Sequence, residues 1–206
     1  MNDLINLEPR QLDALKEVAN IGAGHAATAL SQLTDRRIMI NVPTITVTDL
    51  EQISDVLGNP QEIVAAVLMH MLGDLTGRNL LMMPAANAKL LCDLLLKRSP
   101  GATESFDELE RSSLKEAGNI LGGAYMNALS DFMGMMLLPS VPSLVIDVAS
   151  AVLTTAHLGF GSERDQMFCV ETDFHFDEAE RTLTGHFLLL PDPASLKAVL
   201  DAVKLS

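Results

Sequence analysis

Apolar residues recur at helical spacing over 9–33. Leu12, Leu15, Val18, Ala19, Gly22, Ala26, Ala29, Leu30 and Leu33 share one broad arc when each residue advances by about 100°. The period then shortens. A strand is predicted over 37–47, a short helix near 49–57, and two strands over 63–72 and 78–83 joined by the Gly73-Asp-Leu-Thr-Gly77 turn. A helix over 85–97 closes this block. Beyond it, Ser105-Phe-Asp-Glu108 reads as a capping box that starts a helix running to about 132. A strand over 135–139, a helix over 144–155, alternating strands over 166–176 and 182–190 and a last helix over 193–203 complete the chain.

The order of elements repeats because the sequence does. Leu15-Lys16-Glu17-Val-Ala-Asn20-Ile21 aligns with Leu114-Lys115-Glu116-Ala-Gly-Asn119-Ile120 at an offset of 99. Leu75-Thr76-Gly77 returns as Leu183-Thr184-Gly185 at an offset of 108, which also aligns Lys89 and Asp93 with Lys197 and Asp201. The difference implies an insertion of 9 residues in the second half. The expected fold is therefore α+β: a duplicated helix-strand-helix-strand-strand-helix unit with pseudo-twofold symmetry. Its sheet is largely antiparallel and flanked by helices. Residues 1–206 are expected to form one domain of two repeats, about 1–100 and 101–206, divided near Pro100-Gly101.

Composition narrows the functional classes. With 14 Lys+Arg against 27 Asp+Glu the net charge is −13. Phosphate backbones and anionic lipid would be repelled, so neither nucleic acid nor a membrane surface is an expected partner. No apolar run reaches the roughly 18 residues of a membrane span, and no secretory signal is visible. A cytoplasmic protein is expected. Cys92 and Cys169 sit in apolar stretches and read as buried reduced thiols. His25, His70, His157, His175 and His186 show no metal-ligand spacing, and there is no glycine-rich phosphate loop followed by Lys-Ser/Thr.

Opposite the apolar arc of the first helix lie Asp13, Glu17, Asn20, Gly24, Thr28 and Ser31; the second copy places Ser112, Glu116, Asn119, Gly123, Asn127 and Ser130 there. A solvated glutamate and asparagine ordinarily serve solubility alone. Here the Glu-x-x-Asn pair occurs twice at one offset, Asn costs about 0.5 kcal/mol in mid-helix, and Gly22, Gly24, Gly122 and Gly123 each cost about 1 kcal/mol relative to Ala. Glycine admits close approach to the backbone, either by another helix or by a partner protein. A carboxylate can grip a cation and a carboxamide can hold a water. Neither dyad carries a repeated nucleophile, so the pair suits hydrolysis of a phosphoryl group that a partner presents with its own metal.

These residues resemble the CheC family of chemotaxis phosphatases, to which CheX and parts of the flagellar switch proteins FliY and FliM are related. The family pattern is Asp or Ser, three residues, Glu, two residues, Asn, and then Pro after a further twenty-two. Asp13, Glu17, Asn20 and Pro43 match it, as do Ser112, Glu116, Asn119 and Pro142; each proline lies 23 residues beyond its asparagine. The resemblance implies dephosphorylation of the aspartyl phosphate of a CheY-type response regulator. Glu17 and Glu116 would engage the regulator's lysine, Asn20 and Asn119 would orient the attacking water, and Mg²⁺ would sit on the regulator, with no cofactor held by this chain. It further implies contact with the receptor deamidase CheD through the region 144–155, with Asp147 a contact residue. A binding module that holds the regulator or CheD without turnover is the alternative.

Overall fold

The computed structural model describes residues 8–49, 59–157, 166–176 and 181–205. In chain order these form α1 (Pro9–Thr34), β1 (Ile38–Asp49), β2 (Ile63–Gly73), β3 (Gly77–Pro84), α2 (Ala85–Leu95) and α3 (Glu108–Met133). They continue as β4 (Leu137–Pro139), β5 (Ser143–Val148), α4 (Ala149–His157), β6 (Gln166–Phe176), β7 (Arg181–Pro191) and α5 (Pro193–Leu205). The seven strands make one sheet in the order β1-β6-β7-β3-β2-β4, with β5 beside β4 along the same edge of β2. Every described pairing is antiparallel.

Both faces of the sheet are covered, which is why β2 and β3 read as nearly continuous apolar runs. On one face Ala65, Val67, Leu81, Met83, Val170, Phe174 and Phe187 pack against α1 (Ala19, Ala23, Ala26, Leu30), α3 (Leu114, Ala117, Leu121, Tyr125) and α2. α5 joins them through Val199 and Leu200. On the other face Val64, Ala66, Leu80, Met82, Met167, Cys169 and Leu188 meet Ala149, Val152, Leu153 and Ala156 of α4.

The repeats exchange their first strands. β1 pairs with β6, and β5 pairs with β2, so each repeat's edge strand completes the other's hairpin. A cut near Pro100 would cross the sheet. The connection between the repeats is pinned as well: buried Asp93 accepts the backbone N–H of Gly101 at 2.6 Å and of Thr103 at 2.8 Å, and Arg98 pairs with buried Glu110.

Several expectations need correction. The helix expected over 144–155 starts only at Ala149; Ser143–Val148 is strand β5, whose Val145, Ile146 and Val148 are β-branched and lie opposite Ala66, Ala65 and Ile63. At the offset of 99, β4 and β5 together match β1 end for end. The helix start at Ser105 moves to Glu108, with Asp107 as the N-cap. Helix α2 stops at Leu95, and Lys97 takes a left-handed φ of 55°. The inserted residues lengthen the second hairpin in part: Leu183, Thr184 and Gly185, counterparts of the first turn, lie within β7 opposite Phe174, Asp173 and Thr172. In the first hairpin Gly73 and Gly77 have φ of +114° and +154°, and a Cβ on either would lie 2.3 Å from a carbonyl oxygen, of Met136 or Leu190. The helix expected near 49–57 falls almost wholly outside the described residues.

Candidate active site

Both dyads ride on the two long central helices. Gln11 accepts the N–H of Glu8 at 2.8 Å at the start of α1, and Asp35 ends that helix in a left-handed conformation with φ 55°. With Leu15, Val18, Ala19, Gly22, Ala23, Ala26 and Leu30 buried, the opposite stripe of Asp13, Glu17, Asn20 and Gly24 faces solvent. In α3 the buried side is Leu114, Ala117, Gly118, Leu121, Gly122 and Tyr125, leaving Ser112 and Glu116 exposed and Asn119 and Gly123 half-buried. Within each dyad the spacing of three residues brings the Cβ atoms to about 5–6 Å.

Among the described residues none of Glu17, Asn20, Glu116 and Asn119 hydrogen-bonds or ion-pairs with another group. By contrast Ser31 and Ser130, which the sequence placed on the same arc, serve the fold. Ser31 Oγ accepts the Ile38 N–H at 2.9 Å and donates to its carbonyl at 3.2 Å, while Ser130 donates to the Met135 carbonyl. Ser31 ties α1 to the first residue of β1, and Ser130 ties α3 to the segment just before β4.

The glycines divide into two kinds. A Cβ on Gly22 would lie 2.8 Å from Tyr125 Cδ1, on Gly118 2.5 Å from Val67 Cγ1, and on Gly122 2.2 Å from Met69 Cε. These permit helix-on-helix and helix-on-sheet contact. A Cβ on Gly24 or Gly123, the pair at equivalent positions one turn beyond each asparagine, would meet nothing within 4 Å. Among the described residues nothing requires glycine at either place. Sequence reasoning also passed over Ile21, 45% exposed on the stripe between Asn20 and Gly24. Its signal was its position four residues beyond Glu17.

The motif prolines mark the outermost strands beside these helices. Pro43 lies in β1 where the register slips between Asn41 and Thr44, and half-buried Pro142 lies in the gap separating β4 from β5. Proline gives no N–H to a ladder and is tolerated at such edges. Asp147 stands apart from both dyads. It is an exposed residue of β5, not of a helix, and its Oδ1 accepts the Val148 N–H at 2.7 Å. Leu144 and Ile146 pack toward the dyad-side core and Val145 toward α4, so alternation turns Asp147 to the far face of the sheet.

Other candidate chemistry is structural. Burial pushes the Cys92 and Cys169 thiols up to about 12, so both are thiols at neutral pH. His175 is held by Asn41 at 3.1 Å and Thr182 at 2.9 Å, and burial lowers the pKa of His186. Among the described residues no group of three or more His, Cys, Asp or Glu is placed to hold a metal, and no helix is long and apolar enough to cross a membrane.

A profile of the CheC-like family matches residues 11–47 and 109–146, segments that each contain one complete motif from its acid or serine to its proline. The CheY-P phosphatase CheC of Bacillus subtilis (strain 168) is 32% identical over 202 residues, covering 97% of this chain and 97% of that one. The chain belongs to the CheC-like family. The flagellar motor switch phosphatase FliY of the same organism is 31% identical over 126 residues, 61% of this chain and 32% of FliY. The crystal structure of Thermotoga maritima FliY superposes with a TM-score of 0.81 at 22% identity over 98% of this chain and 99% of that one, a likeness of fold.

Proposed function

We propose that the protein is a phosphatase that hydrolyses the aspartyl phosphate of a CheY-type response regulator, using one dyad on each central helix. Asn20 or Asn119 holds a water through its carboxamide and directs an oxygen lone pair at phosphorus, in line with the aspartyl oxygen. The phosphorus–aspartyl bond breaks as the water–phosphorus bond forms; inorganic phosphate and the free carboxylate result. Glu17 or Glu116 pairs with a lysine of the regulator and sets the approach. Mg²⁺ belongs to the phosphorylated partner, where it neutralises charge on the phosphoryl oxygens. No covalent intermediate on this chain is required.

The observation that carries this reading is that both Glu–Asn pairs lie on the outward side of their helices at equivalent positions, with no side-chain partner among the described residues. The names of the relatives CheC and FliY point to the same reaction. The test mixes the protein with Mg²⁺ and a phosphorylated CheY-type regulator and follows phosphate release. The Asn20→Ala, Asn119→Ala double variant is expected to leave only the regulator's own decay. A double variant as fast as the parent ends the catalytic assignment. On this reading contact with CheD, if made, uses the far face that bears Asp147 and α4.

A further inference from the structure

We infer that the two dyads exclude one another: a phosphorylated regulator seated on either covers the other, so the chain processes one partner at a time. This rests on the reading of both dyads as docking sites for a phosphorylated protein.

The spacing follows from how the helices meet. Leu15 and Val18 cluster with Met126 and Leu129, whereas Ala26 and Leu30 cluster with Leu114 and Ala117, so α1 and α3 run antiparallel. They are in close contact where a Cβ on Gly22 would lie 3.0 Å from Tyr125 Cα. Asn20 lies two residues before Gly22, and Asn119 lies six before Tyr125. In antiparallel helices these displacements add, giving about 12 Å along the axes at 1.5 Å per residue. A lateral separation of about 8 Å at such a contact puts the two asparagines roughly 15 Å apart.

A compact domain of about 100 residues has a radius of gyration near 13 Å and is roughly 30 Å across. A specific docking footprint of about 800 Å² has a similar width. Two such footprints centred about 15 Å apart overlap over much of their area. The stripes offer no escape by facing apart, because α1 and α3 lie on one face of the sheet and each stripe lies opposite its helix's buried side. Between the dyads lie Gly24 and Gly123, where even a Cβ would touch nothing, so the ground they share is bare backbone beside exposed Ile21. A protein lowered onto one dyad rests on that ground and occupies the approach to the other.

The experiment counts partners. The full chain is titrated with Mg²⁺ and a beryllofluoride-loaded CheY-type regulator, at concentrations above the KM for hydrolysis, and the complex is weighed by sedimentation and native mass spectrometry. One regulator per chain is expected at any excess, for the parent and for each of Glu17→Lys and Glu116→Lys. Two per chain in the parent overturns the exclusion while leaving the phosphatase reading in place. Loss of all uptake in either single variant also overturns it, because the surviving dyad then never competed. No uptake by the parent removes both this inference and the reading beneath it.

Discussion

The two repeats present similar outer stripes on dissimilar seats. Under α3, Gly118 and Gly122 let the helix settle directly on Val67 and Met69 of β2. Their counterparts in α1 are Ala19 and Ala23, and a cavity of about 50 Å³ remains there, lined by Leu15, Val18, Ile45, Phe168, Leu189 and Val199. The equivalent space under α3, lined by Leu114, Leu144, Val67, Leu81 and Leu91, is about 10 Å³. The helix starts differ too: Gln11 closes α1 onto Glu8, whereas its counterpart Glu110 anchors α3 to Arg98. The inner surfaces have diverged while glutamate, asparagine and glycine stay in place outside. A core can be repacked by compensating changes; on the proposed function, a surface that meets the same foreign group twice has no such freedom.

If the outer stripes are what matter, the largest effects follow the asparagines and not the seats. Asn20→Ala and Asn119→Ala are each expected to keep about half of the parental turnover, and the double variant to lose roughly 30- to 1,000-fold, the equivalent of about 2–4 kcal/mol for an orienting hydrogen bond. Phosphate-release kinetics on the three variants measures this. A single variant that is as slow as the double one would show that the difference in seating has silenced one site.

The glycines sharpen the contrast between seat and stripe. Gly118→Ala drives a methyl into Val67, a β-branched neighbour in a strand, and is expected to cost about 1–3 kcal/mol in urea unfolding. Gly24→Ala meets no atom and should stabilise α1 by about 0.5–1 kcal/mol through helix propensity. Any slowing of turnover by Gly24→Ala therefore reports on docking, since the fold is the stronger for it. Destabilisation by Gly24→Ala would contradict the open space seen there.

Much of this was legible in the sequence, and what was hidden has a physical cause. Both helices and both dyads follow from a 3.6-residue period and a fixed offset, which are local signals. β5 was misread as helix because Leu144 and Ile146 are wanted on one face and Val145 on the other, so alternation disappears. Its partner Ile63–Leu68 lies some eighty positions away in the chain. The same holds for the glycines. The helical period puts Gly22 on the apolar arc and Gly24 on the polar stripe, but only the arrival of Tyr125, remote in the chain, shows that position 22 has no room for a Cβ. Ser31 and Ser130 fell on the arc of the dyads because a wheel assigns a face, not the segment of chain that passes it.

Acid should act on one helix start more than the other. The Arg98 hydrogen bond holds the Glu110 carboxyl below its ordinary value of 4.5. A carboxyl lowered in the folded state stabilises it above the unfolded value, and the contribution is lost as pH falls through the folded one. Amide protection in the first turn of α3, measured against the unstructured exchange rate at each pH, is therefore expected to fall as pH drops below about 4.5, and Glu110→Gln should flatten that response. The contact made by Gln11 in α1 is a neutral carboxamide and does not titrate. Equal acid sensitivity of both starts would remove this difference between the repeats.

The smallest effect concerns the cavity itself. Val199 lines the space under α1 where its counterpart Leu91 lines the space under α3, so Val199→Leu gives the looser seat the side chain of the tighter one. An added methylene buried in a void is worth up to about 0.8 kcal/mol. On the tighter side an enlargement, Leu91→Phe, enters a space of only about 10 Å³ and is expected to cost about 1–3 kcal/mol by overpacking. Thermal unfolding of the pair measures the difference. Turnover should stay at the parental level in Val199→Leu, because the substitution reaches the buried side of α1 while Glu17 and Asn20 remain on the other.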